Sequence, residues 1–160
     1  MKIFLLRILP IIWMGIIFFA SSQPYQEQDI KPFLSNTLDL SFLIPYFDWI
    51  EFHYHHSEVS ITELGINGLI EFFIRKGAHV TVFLVLMVLL YFACLTFKTK
   101  RKPSIIALFL TVAYAIFDEI HQGFTPNRTP FTGDVVLDSI GALLGLLFIL
   151  TIPAKYKQRI

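Results

Sequence analysis

The sequence predicts an all-α membrane protein, a four-transmembrane-helix bundle with a long outer loop between its first two helices. Three observations predict it. The 160 residues are 55% hydrophobic and only 16% charged, with 17 Phe, an apolar excess beyond that of a soluble globule. Four apolar stretches approach or exceed the ~20 residues that a helix needs to cross a bilayer. Finally, Lys and Arg gather in the segments that flank those stretches, where positive charge sets the orientation of a membrane protein.

The first helix is expected over residues 3–20. Lys2 and Arg7 ahead of Ile8–Phe19, followed by Ala20-Ser21-Ser22, also fit a cleaved signal peptide. An uncleaved span is preferred, because Arg7 is able to snorkel to the interface and Pro10 is tolerated inside a membrane helix. Residues 21–69 form the expected outer loop, with Pro24, Pro32 and Pro45. Within it Leu40–Phe52 is rich in aromatics suited to the interface, Tyr46 and Trp49 among them. Phe52–His55 alternates and pairs plausibly with Glu58–Ile61 as a short hairpin. The second helix is expected over 70–97 and the third over 104–122. Ile105–Phe117 alone is too short to span, so Asp118, Glu119 and Gln122 must complete the third helix. Gly123 to Asn127 ends it, and the fourth helix is expected over 134–152, stopped by Pro153. The whole chain reads as one domain.

Orientation follows from the basic residues. Lys2 and Arg7, the connection Lys98–Lys102, and Lys155, Lys157 and Arg159 all fall on one side of four spans. That side is the cytoplasm, so both termini are cytoplasmic. The basic connection is a topology signal, and no nucleic-acid partner is expected. Cys94 is the single cysteine, which excludes an intrachain disulfide or a cysteine-based metal site. His53, His55 and His56 lack a second set of ligands that would fix a geometry, so no metal and no cofactor is expected.

The start of the second helix, the end of the third and the start of the fourth then meet in the outer leaflet. These are the places where polar residues enter apolar helices: Arg75, Lys76 and His79; Asp118, Glu119 and Gln122; Asp134 and Asp138; with Arg128 in the loop between. Acidic groups in hydrocarbon lose their hydration, so a membrane protein that keeps them points to a functional site or to mutual neutralisation. The four-residue spacings put Arg75 with His79, Asp118 with Gln122, and Asp134 with Asp138 on shared faces. Arg75 or His79 is expected within ion-pair reach of Glu119, Asp134 or Asp138, with Arg128 folded back over them. A salt-bridge network pinning the helices is the plain reading. A pocket whose cations hold a phosphate or carboxylate is the sharper one. His79 and Glu119 are the candidates for proton transfer, although no nucleophile motif accompanies them. Gly141 and Gly145 continue the stripe of the fourth helix at a spacing that lets another backbone approach, a packing face also suited to self-association.

At these residues the chain resembles the VanZ-like family. The matching pieces are Phe18-Phe19-Ala20-Ser21-Ser22-Gln23-Pro24, Glu71 to His79, Asp118-Glu119-Ile120-His121-Gln122, Pro126-Asn127-Arg128, and Gly133 to Gly141. The resemblance runs from the first helix to the fourth. It implies a small multi-pass protein of the bacterial cell membrane associated with resistance to teicoplanin, a lipid-tailed glycopeptide. A ligand such as a membrane lipid, a lipid-linked cell-wall precursor or a lipoglycopeptide is expected. The runner-up is a membrane enzyme acting on a lipid head group.

The topology has a direct test. Reporter fusions at Gln26 and after Lys102 are expected on opposite sides of the membrane, with Lys102 cytoplasmic; an external Lys102 would reverse the orientation.

Overall fold

The computed structural model describes residues 1–55, 57–97, 102–126 and 128–153. The basic residues Lys98, Lys100, Arg101, Lys155, Lys157 and Arg159, and His56 of the histidine group, lie outside the described residues. Four helices are long and apolar enough to cross a membrane. They are α1 (Lys2–Ser21), α4 (Ile61–Leu95), α5 (Pro103–Gln122) and α6 (Thr132–Thr151). The protein is an all-α membrane protein with a small two-stranded sheet.

The connection after α1 is not the open loop over 21–69 that the prolines suggest. It holds two short α-helices, α2 (Lys31–Thr37) and α3 (Ile44–Phe47), single 3-10 turns at Tyr25–Gln28 and Ser41–Leu43, and a hairpin of β1 (Glu51–Tyr54) and β2 (Ser57–Ser60). Local chemistry accounts for this. Asp29 accepts from the backbone N–H of Lys31, and Asp39 from that of Ser41, so each aspartate starts a turn. Pro32 and Pro45 sit in first turns, where no N–H is needed. The hairpin pairs Phe52 with Val59 and His53 with Glu58.

The second spanning helix also starts earlier than residue 70. Ser60 accepts the backbone N–H of Glu63, an N-cap that begins the helix at Ile61. Gly65 then interrupts it at φ 66, a left-handed conformation suited to glycine.

The chain forms two compact units, one of Met1–Pro24 with His79–Ile160 and one of Tyr25–Ala78. In the first, α5 packs along both α6 and α1. One core layer joins Ile17, Phe83, Leu86, Tyr114 and Ala115; another joins Met87, Tyr91, Cys94, Ala107, Ala142 and Ile149. Trp13 donates its indole N–H to the Val82 carbonyl, and Tyr114 donates to that of Met14. Arg7 reaches the last turn of α4, donating to Thr96 Oγ1 at 2.8 Å and to the Thr96 carbonyl at 3.2 Å. A cation there satisfies carbonyls that the helix end leaves open. The second unit closes on buried Leu34, Val59, Leu69 and Glu71.

α6 meets α4 through its glycines. A Cβ on Gly141 would stand 2.2 Å from the Val80 carbonyl oxygen, and one on Gly145 2.7 Å from that of Leu84. The close approach that the glycine spacing predicts is thus made within the chain.

Gly141→Ala is therefore expected to force the two backbones apart, at a cost of about 1–3 kcal/mol. Gly15→Ala, whose added Cβ meets nothing within 4 Å, should be neutral or slightly stabilising. Thermal unfolding of the two purified variants against wild type checks the contrast.

Candidate functional site

Three buried carboxylates share one end of the bundle in the first unit. Asp118 and Glu119 come from the last turn of α5 and Asp138 from the second turn of α6; they are 1%, 6% and 1% exposed. Among the described residues each is hydrogen-bonded through one oxygen.

Asp118 Oδ2 accepts from the Ser21 hydroxyl at 2.9 Å and from the Gln122 amide at 2.9 Å. The other side of that amide accepts from Arg128 Nη1 at 3.0 Å. Gln122 is thereby oriented, NH2 toward the acid and oxygen toward the guanidinium. Thr125 completes this corner by donating to the Ser21 carbonyl at 3.1 Å. These hydrogen bonds join the end of α1, the end of α5 and the following loop.

Glu119 Oε1 accepts the backbone N–H of Phe131, the residue that caps α6. Asp134 follows in the first turn of α6, where exposed N–H groups favour negative charge. Asp138 Oδ1 lies 3.1 Å from His79 Nδ1. The carboxylate orients the imidazole. Glu119 and Asp138 are each within electrostatic reach of His79 and Asp134.

The second oxygens of all three acids, Asp118 Oδ1, Glu119 Oε2 and Asp138 Oδ2, are buried and have no hydrogen-bond partner among the described residues. Beside them His121 stacks on Phe18, with ring centroids 3.9 Å apart.

Of the residues singled out in the sequence, His79, Asp118, Glu119, Gln122, Arg128, Asp134 and Asp138 belong to this unit. His79 lies against Asp138, one of the three acids expected within its reach, while Glu119, the other candidate for proton transfer, accepts from Phe131. Arg128 does turn back, onto Gln122. Arg75 and Lys76 belong to the second unit and have other partners there. Arg75 Nε donates to Glu71 at 2.9 Å and Nη2 to the Gln28 carbonyl at 2.6 Å, and its guanidinium lies 4.2 Å from the centre of the Tyr25 ring. Lys76 sits 4.4 Å from the Tyr54 ring centre. Arg75 is thus paired with a carboxylate four residues away.

Glu71, only 2% exposed, is the residue that sequence reasoning missed in this unit. It also approaches the Tyr25 hydroxyl at 3.4 Å and Lys31 Nζ at 4.0 Å. Tyr25, and then Asp29 and Glu71, raise the Lys31 pKa above its ordinary range, so that amine stays charged. In the first unit Ser21 and Thr125 were missed. Ser21 and Glu71 both lie in the segments that carry the family resemblance, which was the signal available. Among the described residues no three His, Cys, Asp or Glu converge as metal ligands.

The VanZ/LLP1 family model matches residues 6–153 of the chain. The chain belongs to the VanZ/LLP1 family. The match takes in every residue of the carboxylate end, from Ser21 to Asp138. No curated protein and no solved structure matches the chain.

The Phe131 contact gives a stability test for this VanZ/LLP1 protein. Glu119→Gln keeps an acceptor for the Phe131 N–H and is expected to unfold near the wild-type temperature. Glu119→Leu strands that donor and is expected to cost about 1–3 kcal/mol. Chemical denaturation in detergent separates the two.

Proposed function

We propose that this VanZ/LLP1 protein binds a lipid-linked or lipoglycopeptide ligand through the carboxylate end of its bundle, on the outer face of the bacterial membrane. Through that binding it contributes to glycopeptide resistance. The observation that carries the reading is the set of three buried carboxylate oxygens left without a partner. An unmet buried acceptor costs about 1–3 kcal/mol, and more when charged, and an apolar seam would avoid that cost. Donors brought by a ligand would meet them.

Their chemistry also sets the sign of the ligand. Asp118, Glu119, Asp134 and Asp138 stand in this unit with Arg128 and His79, while Arg75 is engaged by Glu71. The acceptors suit a donor, a sugar hydroxyl or an ammonium, better than the phosphate or carboxylate that the basic residues suggest in the sequence. The positive-inside pattern turns this end outward, toward cell-wall precursors and drug.

Asp118→Asn and Asp138→Asn should leave membrane abundance within about twofold of wild type while teicoplanin susceptibility rises, since an amide keeps shape but loses acceptor capacity. The decisive variant removes the ion pair altogether. If His79→Leu with Asp138→Leu restores both abundance and resistance, the groups only hold the helices together and the proposal fails.

The His79–Asp138 pair favours a second reading, an enzyme that acts on a lipid head group. A carboxylate that orients an imidazole is the arrangement of a general base. In that case His79→Gln abolishes a change in the lipid or precursor pool measured by mass spectrometry, while ligand binding persists. An unchanged pool in the presence of wild type removes it.

A further inference from the structure

We propose that the second unit carries a membrane-inserting surface of its own: Phe42, Tyr46 and Trp49 lie in the lipid interface and anchor the unit there. Their exposures are 66%, 70% and 79%, the last among the highest of any large apolar side chain in the protein. All three fall within ten residues, on the 3-10 turn Ser41–Leu43, on α3, and just after it.

Geometry makes them one patch. Phe42 and Tyr46 are four residues apart across consecutive helical turns. Trp49 Nε1 donates to the Tyr46 carbonyl at 2.8 Å, which folds the indole back beside Tyr46. That bond matters to the occupant. A tryptophan whose N–H is already satisfied enters a less polar phase without stranding a donor.

The occupant follows from connectivity and charge. The unit runs from Tyr25, after α1, to Ala78 within α4, and both helices are apolar and of spanning length, so its two ends adjoin segments that enter the bilayer. The nearest apolar phase to the patch is therefore lipid. Tyr and Trp settle at the head-group level, where one edge of the ring is wet and the other dry. The attachment is apolar rather than electrostatic: residues 33–74 contain no Lys or Arg, and Asp39, Asp48 and Glu51 border the patch. Anionic lipid is thus not required for insertion.

The test uses the full chain in nanodiscs. The protein has two tryptophans, Trp13 and Trp49, so Trp13→Phe leaves Trp49 as the only reporter. Because Trp13 donates to Val82, the wild-type minus Trp49→Phe difference spectrum serves as a second measure that leaves α1 intact. Lipids brominated near the head-group end of the acyl chain are expected to quench Trp49 about twofold more than lipids brominated near the terminal methyl, as an interfacial ring requires. Acrylamide in the water should quench it weakly. The pattern should be the same in zwitterionic lipid and in mixtures with anionic lipid.

Strong acrylamide quenching without bromine quenching would place Trp49 in water and overturn the proposal. Protection from both quenchers would mean that protein, a second copy or a partner, covers the patch, and would overturn it equally. Quenching that appears only with anionic lipid would refute the apolar basis of the attachment.

Discussion

The approach of α6 to α4 at Gly141 and Gly145 is the constraint on which the carboxylate end of the bundle depends. In lipid no hydrophobic effect drives helices together, and close van der Waals contact over small residues takes its place. With Gly141 seated against the Val80 carbonyl, the register of the two helices is set. His79, one residue before Val80, and Asp138, three residues before Gly141, are then brought to 3.1 Å. The ion pair is a consequence of the glycine contact. A side chain at Gly141 would displace a helix and with it the pairing of a buried charge.

The two units treat their buried acids differently. Glu71 is met by Arg75, Tyr25 and Lys31 and behaves as a structural anchor. Asp118, Glu119 and Asp138 each use one oxygen to hold another element: Ser21 at the end of α1, the cap of α6, and His79 within α4. The other oxygen is left over. Half-satisfied polar groups weaken a structure that has no use for them, since the low local dielectric raises the cost of each unmet acceptor. That contrast locates the candidate site among the buried acids of the first unit.

Arg7 closes the end of α4 at Thr96 and rests on the Phe97 ring. Among the described residues of the first unit, the buried carboxylates Asp118, Glu119 and Asp138 belong to the other end.

Spans of apolar residues of bilayer length, broken by Pro103, Gly123 and Pro153, determined the four helices, because in hydrocarbon a helix satisfies its own backbone whatever its neighbours. The same local logic held for the Phe52–Val59 hairpin and for the extension of α5 to Gln122. The Ser60 cap was equally local, a Ser-x-x-Glu signal four residues long, and it places the start of α4 well before the apolar run that marks it. What the sequence left open was partnership. Arg75 and His79 share a helical face by spacing, yet one is taken by Glu71 and Gln28 and the other by Asp138. Spacing along one helix says which side chains lie together on it. Which groups lie opposite is decided by the register between helices, and that register is a property of the packed bundle, set where Gly141 and Gly145 admit the backbone of α4.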